Sequence, residues 1–266
     1  YGYEARTPLA VIAAVLFLGM ALITIIQFFH RKTWCFWPII IGALIESSGF
    51  IARAVSVGNP KNLHAFLFQH IAIILAPSWV AAACYLIFGR LVRWVTPAER
   101  RNFRTLWCPA RFNTLFFGVI NSGSFFTQLY GVSTIGTSYL WNGTTERREK
   151  CFNSGVKIFR IGLILQLVCS GIFLMTGTRF LVVSRYWNKS SFRVCDGRWR
   201  RLGCIVIVAA QLVTLQTVYR VLEVTGSRER PNYLYLHEWS FWIFDAVPIF
   251  VVLLLFSVVH PGHYLP

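Results

Sequence analysis

Seven apolar stretches of 20 or more residues dominate this chain, near residues 8–29, 36–57, 63–89, 112–134, 156–180, 202–224 and 235–259. Each is long enough to cross ~30 Å of hydrocarbon at about 1.5 Å per helical residue. A chain of 266 residues that is 56% hydrophobic and 14% charged, with mean hydropathy +0.56, cannot remain a water-soluble domain with those stretches exposed. The expected fold class is therefore all-α: a polytopic membrane protein whose residues 1–266 form one seven-helix transmembrane bundle. No internal repeat or separate domain is visible, and the spans lack the paired halves of an inverted-repeat transporter.

The basic residues predict an orientation. Lys and Arg concentrate in short cytoplasmic loops. Fifteen fall in the connections after spans one, three and five, against eight on the opposite side. The N-terminus is expected outside and the C-terminus in the cytoplasm. Asn142, in the acceptor pattern Asn142-Gly143-Thr144, then lies in an outer loop and is the expected glycosylation site, whereas Asn188 lies inside. The net charge of +16 is explained by topology and attraction to anionic lipid, so nucleic acid is not an expected partner. A cleavable signal peptide is not expected, because the first apolar run is long and lacks a basic leader. Only Cys151 is clearly outside, so reduced or buried thiols are expected rather than an extracellular disulfide, and no spacing suggests a metal site.

Ionisable groups inside the spans are the chemical signal. Glu46, Arg53, Arg160, Arg220, Glu223, Glu238 and Asp245 would each cost roughly 2.5–3.5 kcal/mol at bilayer depth if left facing lipid. They must pair or line a wet interior. Uncharged polar groups repeat the pattern: Gln69 and His70 in span three, Asn121 and Gln128 in span four, Gln166 in span five, Gln211 and Gln216 in span six. With the expected orientation all occupy the middle or outer half. That predicts a polar pocket opening outward, floored near Glu46, Asn121, Gln211 and Asp245.

The candidate ligand-binding or proton-coupling residues are Glu46, Asp245, Glu238, Arg53, Arg160, Asn121, Gln128, Gln69, His70, Gln166 and Gln211. Arg220 and Glu223, three apart, read as a structural ion pair satisfied on its own helix. The near balance of acids and bases equally fits an interhelical ion-pair network that fixes helix register. Pro77 and Pro248, inside spans three and seven, are expected to kink their helices and free a carbonyl each.

Several strings carry a family resemblance. They are Glu46-Ser47-Ser48-Gly49-Phe50-Ile51-Ala52-Arg53, Ala76-Pro77 with Ala82-Ala83-Cys84-Tyr85 and Gly89-Arg90, Tyr219-Arg220-Val221-Leu222-Glu223, and Glu238 followed by Asp245-Ala246-Val247-Pro248 and His260-Pro261-Gly262. In this order and at these depths the chain resembles the fungal RTA-like lipid-translocating exporters along essentially its whole length. One departure is Asn121, seven residues before Gln128, where the family pattern has Asp; Asn keeps the hydrogen bonding and loses the charge.

The resemblance implies a multi-pass plasma-membrane protein of fungi that exports or flips sphingoid long-chain bases, with membrane lipids and an amphipathic lipid substrate as partners and no cofactor. Glu46, Glu238 and Asp245 would hold an ammonium head while aromatic walls hold the tail. The alternative within the family is haem or porphyrin handling, with Arg53, Arg160 and Arg220 on propionates and His70 or His237 as an axial ligand.

A receptor-like sensor is a second alternative. Against it, Gly89-Arg90-Leu91 stands where receptors carry Asp-Arg-Tyr, and no Asn-Pro-x-x-Tyr ends span seven. An intramembrane hydrolase is not expected, since only His70 lies well inside a span.

Overall fold

The computed structural model describes residues 7–31, 33–59, 62–96, 112–140, 144–186, 198–225 and 233–264. Among them run seven long helices: α1 (Thr7–Arg31), α2 (Trp37–Gly58), α3 (Leu63–Val95), α4 (Asn113–Leu140), α5 (Thr145–Val183), α6 (Arg198–Thr225) and a composite α7. The last joins an α-helical Glu238–Phe241, a π-helical turn Trp242–Ala246 and an α-helical Val247–Val258. Helices are what a bilayer permits, because each backbone donor finds its acceptor within the same segment. Asn142 lies outside the described residues.

Six of the seven are long and apolar enough to span a membrane. The exception, α4, carries Asn121, Gln128 and a run of Ser, Thr and Gly. Asn121, Ser124 and Gln128 turn inward and are buried, whereas Ser122, Ser133 and Thr137 are exposed. The sequence-predicted spans each fall on one helix, but α5 begins eleven residues before the predicted start at 156. Nothing in Thr145-Glu146-Arg147-Arg148-Glu149-Lys150 ends a helix, and Glu146 pairs with Lys150 one turn on, at 2.6 Å.

Consecutive helices pack as neighbours, α7 returns to α1 and α6, and α3 also contacts α6. α3 is therefore the central helix, with 78% of its most apolar window buried against 39% for α1, α5 and α7. A continuous core of buried apolar residues draws on all seven helices.

Glycine sets the closest approaches. A Cβ on Gly131 of α4 would sit 2.5 Å from the Phe159 backbone nitrogen of α5, and one on Gly162 of α5 would sit 2.9 Å from the Gln128 nitrogen. Across α2 and α3, a Cβ on Gly49 would meet Ile73 at 2.7 Å. In lipid such small-residue contacts let dispersion act between backbones where no hydrophobic force exists.

The two ends of the bundle differ. Where α3 ends and α4 begins, Tyr85, Phe88, Phe117, Phe173 and Phe180 form a dry ring cluster with centroids 4.7–5.7 Å apart. Nearby, His260 of the closing His260-Pro261-Gly262 accepts from the Gly262 nitrogen at 3.1 Å and packs on Phe36. The buried charges gather toward the opposite end, where α2 stops and α7 starts.

Gly131→Ala is expected to lower the thermal midpoint of the purified protein, consistent with about 1–3 kcal/mol of overpacking. Gly171→Ala, whose Cβ meets nothing within 4 Å, leaves it unchanged or higher. Equal midpoints for the two variants would remove the close-packing argument.

Candidate functional site

The site is built on α2, α6 and α7. Arg220, on α6, is 7% exposed and points at Asp245, which is 0% exposed on the π-helical turn of α7. Its Nε donates to Asp245 Oδ1 at 2.8 Å and its Nη2 to Oδ2 at 2.5 Å, a bidentate fork. Nη1 donates to Glu223 Oε2 at 2.8 Å, and Gln216 Nε2 adds a bond to Asp245 Oδ1 at 2.7 Å. Arg220 is thus not the self-contained partner of Glu223 that their spacing suggests. One guanidinium serves two carboxylates, the principal one across a helix interface.

The π-helical turn explains how α7 presents Asp245. Val247 N–H reaches back to the Trp242 carbonyl, five residues earlier, immediately before Pro248. The irregularity expected from Pro248 takes the form of a widened turn. Such turns insert a residue and re-aim the side chains they carry, and they recur at functional positions.

Arg53 and Glu46, seven apart on α2, do not pair with each other. Arg53 Nη2 reaches Glu238 Oε1 at the start of α7, at 3.4 Å. Its Cζ lies 4.3 Å from the Phe241 ring centroid and 5.5 Å from that of Trp242. Glu46 is 1% exposed, and its Oε2 is buried without a hydrogen-bond partner. It lies within electrostatic range of Asp245 and Arg220. Among the described residues, four carboxylates (Glu46, Glu223, Glu238, Asp245) thus share this region with two guanidiniums (Arg53, Arg220).

A second, uncharged network joins α3, α4 and α5. Gln128 Nε2 donates to Gln166 Oε1 at 2.6 Å and to Ser124 Oγ at 2.9 Å, and Ser124 Oγ donates to the Gly162 carbonyl at 2.8 Å. Ser78 Oγ donates to Gln166 Oε1 at 3.2 Å, and Asn121 Nδ2 to the Ser78 carbonyl at 3.1 Å. Asn121 therefore spends its amide donor on backbone, a bond that an ionised Asp could not donate.

The remaining candidates lie elsewhere. Arg160 Nη2 donates to the Val224 carbonyl at 2.7 Å, capping the end of α6 where the helix dipole is negative. Gln69 and His70 sit together on α3, with His70 Nδ1 against the Phe66 carbonyl at 3.0 Å. His237 Nδ1 faces the Tyr233 carbonyl at 2.9 Å on the surface. Gln211 is exposed on the outside of α6 and belongs to neither network; Gln216, five residues on, takes the inward place.

The outward-opening pocket expected from the sequence is closed in this structure. Glu46 and Asp245 are sealed, and exposure rises only at Glu238 (12%) and Glu223 (17%). A separate cavity of ≈ 270 Å³ lies between α4 and α5, lined by Ser138, Arg147, Arg148, Lys150, Cys151 and Ser154. Sequence reasoning overlooked Phe241 and Trp242. Their signal was present, since they stand three and four residues after Glu238 on the same span. Among the described residues no group of His, Cys, Asp and Glu is arranged to hold a metal ion.

Comparison with known proteins adds a lineage. The family model described as RTA1 like protein matches residues 39–266. Protoporphyrin uptake protein 1 of Saccharomyces cerevisiae is 29% identical over 85% of this chain and 68% of its own length. The probable lipid transporter atnI of Emericella nidulans is 27% identical over 99% and 67%, and the sphingoid long-chain base transporter RSB1 of Saccharomyces cerevisiae 24% over 90% and 67%. The chain thus spans about two thirds of the length of each. No solved structure matches. These three relatives are named for transport or uptake, and the apolar helices of this chain make it a multi-pass membrane protein.

Removing one partner of the buried pair, by Arg220→Gln or Asp245→Asn, is expected to cost about 3–5 kcal/mol by stranding the other group. The double variant Arg220→Met/Asp245→Leu is expected to recover part of that, the remainder being Glu223, which loses its donor as well. Thermal unfolding of the three proteins checks the coupling, and additive losses in the double variant would refute it.

Proposed function

This chain belongs to the RTA1-like protein family, and from that premise we propose that it translocates a cationic amphiphile of the sphingoid long-chain base type across a fungal plasma membrane. The observation that carries the reading is Glu46. A carboxylate with an unpartnered oxygen, deep in a span and beside a cluster richer in acids than in guanidiniums, is a place prepared for a positive head group. A long-chain base brings an ammonium to meet Glu46 and an alkyl tail that the aromatic faces of α2 and α7 can cover. The relative named as a sphingoid long-chain base transporter supports the substrate class.

The porphyrin reading has a relative of similar identity behind it but a less suitable geometry. Propionates need guanidiniums, and Arg53, Arg160 and Arg220 are engaged with Glu238, the Val224 carbonyl and the pair Asp245 and Glu223. His70 and His237 each turn Nδ1 to a local backbone carbonyl. A dianionic ligand would have to break several of these bonds and would meet a surplus of negative charge.

In the proposed topology the N-terminus is outside, and the end that gathers Glu238 and Glu223 faces the exterior. The closed cluster is then one state of a transport cycle, opening toward the outer leaflet at Glu238.

Glu46→Gln keeps the shape and removes the group that can ionise. It is expected to lower export of a labelled long-chain base at least tenfold in reconstituted vesicles while the protein retains its normal yield and elution on size exclusion. Undiminished export by a folded Glu46→Gln protein would rule out Glu46 as the head-group site. Independently, treating the fungally expressed protein with an endoglycosidase is expected to increase its electrophoretic mobility, and Asn142→Gln abolishes that change; a shift persisting in Asn142→Gln would count against the assignment of that loop.

A further inference from the structure

The two guanidiniums of the site are held in different ways. Arg220 sits in a bidentate fork with Asp245. Arg53 reaches Glu238 at 3.4 Å, longer than the ~2.7–2.9 Å of a good charge-assisted bond. Two aromatic rings also lie against its guanidinium. Phe241 lies 4.3 Å from Cζ and Trp242 5.5 Å, and the two rings stand at 76° to each other with centroids 5.3 Å apart. Behind them the wall is packed: Trp242 stacks on Phe50 at 5.8 Å, and Phe50 on Phe17 at 4.7 Å. Two crossed aromatic faces with a carboxylate at the edge make a cage for a cation.

The cage stands where an incoming head group would arrive. Glu238 opens α7, its side chain is 12% exposed, and the neighbouring Trp239 is 45% exposed. Seven residues below, on the same helix, is Asp245, with Glu46 within electrostatic range of it. The carboxylates thus run from a partly exposed position inward to the sealed one.

We propose that Glu238, Phe241 and Trp242 form an entry slot for the ammonium group of a cationic amphiphile, which Arg53 fills as a built-in surrogate until the ligand displaces it. The slot rests on the reading of Glu46 as a cation site and adds a step before it. The guanidinium in the slot shows which chemistry the slot accepts. A primary or quaternary ammonium satisfies the same rings and the same carboxylate, and unlike Arg53 it brings an alkyl tail that remains in the lipid.

The test is equilibrium binding of radiolabelled dodecyltrimethylammonium, below its micellar concentration, to the full chain in phosphatidylcholine nanodiscs, with empty discs subtracted. Arg53→Gln, which empties the slot, is expected to tighten binding on the order of tenfold, and Trp242→Leu to weaken it by a similar factor. Arg53→Lys keeps a cation in place and stays near wild type. Binding that is unchanged or weaker in a folded Arg53→Gln protein would overturn the proposal. If Arg53→Gln does not fold, undiminished binding by Trp242→Leu overturns it instead. A slot that fails while Glu46→Gln still abolishes export leaves the functional reading standing; absence of any cation binding to wild type takes both down.

Discussion

A guanidinium buried at bilayer depth must be matched by carboxylates, and the bond from Arg220 to Asp245 is where this molecule meets that requirement. Several features of the bundle serve it. α7 widens into a π-helical turn at the residues that carry Asp245. α6 contributes Gln216 one turn before Arg220 and Glu223 one turn after it, so the fork has a second acceptor on the guanidinium and a second donor on the carboxylate. Tyr219 stacks on Phe244 at 5.9 Å, which closes the α6–α7 interface beside the pair. Burying such a pair gains little over an apolar contact of the same volume. Its presence is better understood as specification of which helices meet, and at what register, in a membrane where apolar packing alone is permissive.

Once Arg220 is neutralised, the remaining charges acquire meaning. Arg53 leans on Glu238 and on two rings, and Glu46 keeps an oxygen with no donor. The uncharged network of Ser78, Asn121, Ser124, Gln128 and Gln166 performs the corresponding task for α3, α4 and α5. There the glycines of α4 and α5 bring the backbones close enough for short amide side chains to bridge. The bundle therefore carries a charged interface and a neutral one with α3 between them, and among the described residues the charged one holds more acids than guanidiniums.

Much of the fold was legible in the chain because a bilayer imposes a length and an apolar composition on every span. Helices stand where the apolar runs predict them, and the buried ion pairs lie away from the end that holds the ring cluster. The site was legible as a set of residues and not as a set of bonds. Gln211 and Gln216 are equally polar and similarly deep, and only the rotation of α6 puts Gln216 on Asp245 and Gln211 on the outside. Spacing on one helix suggested Arg220 with Glu223. The bidentate contact across helices to Asp245 outranks that pairing.

The sequence by itself determined that this is a multi-spanning helical membrane protein with ionisable groups that cannot face lipid, because transfer free energy depends on composition and length alone. Only the tertiary structure decided which charge meets which, that Glu46 is the carboxylate left with an unpartnered oxygen, and that Phe241 and Trp242 enclose Arg53. The physical reason is that an ion pair depends on distance and direction between helices. Those quantities are set by the rotation and depth at which glycine contacts, ring stacking and the π-helical turn lock each helix against its neighbours.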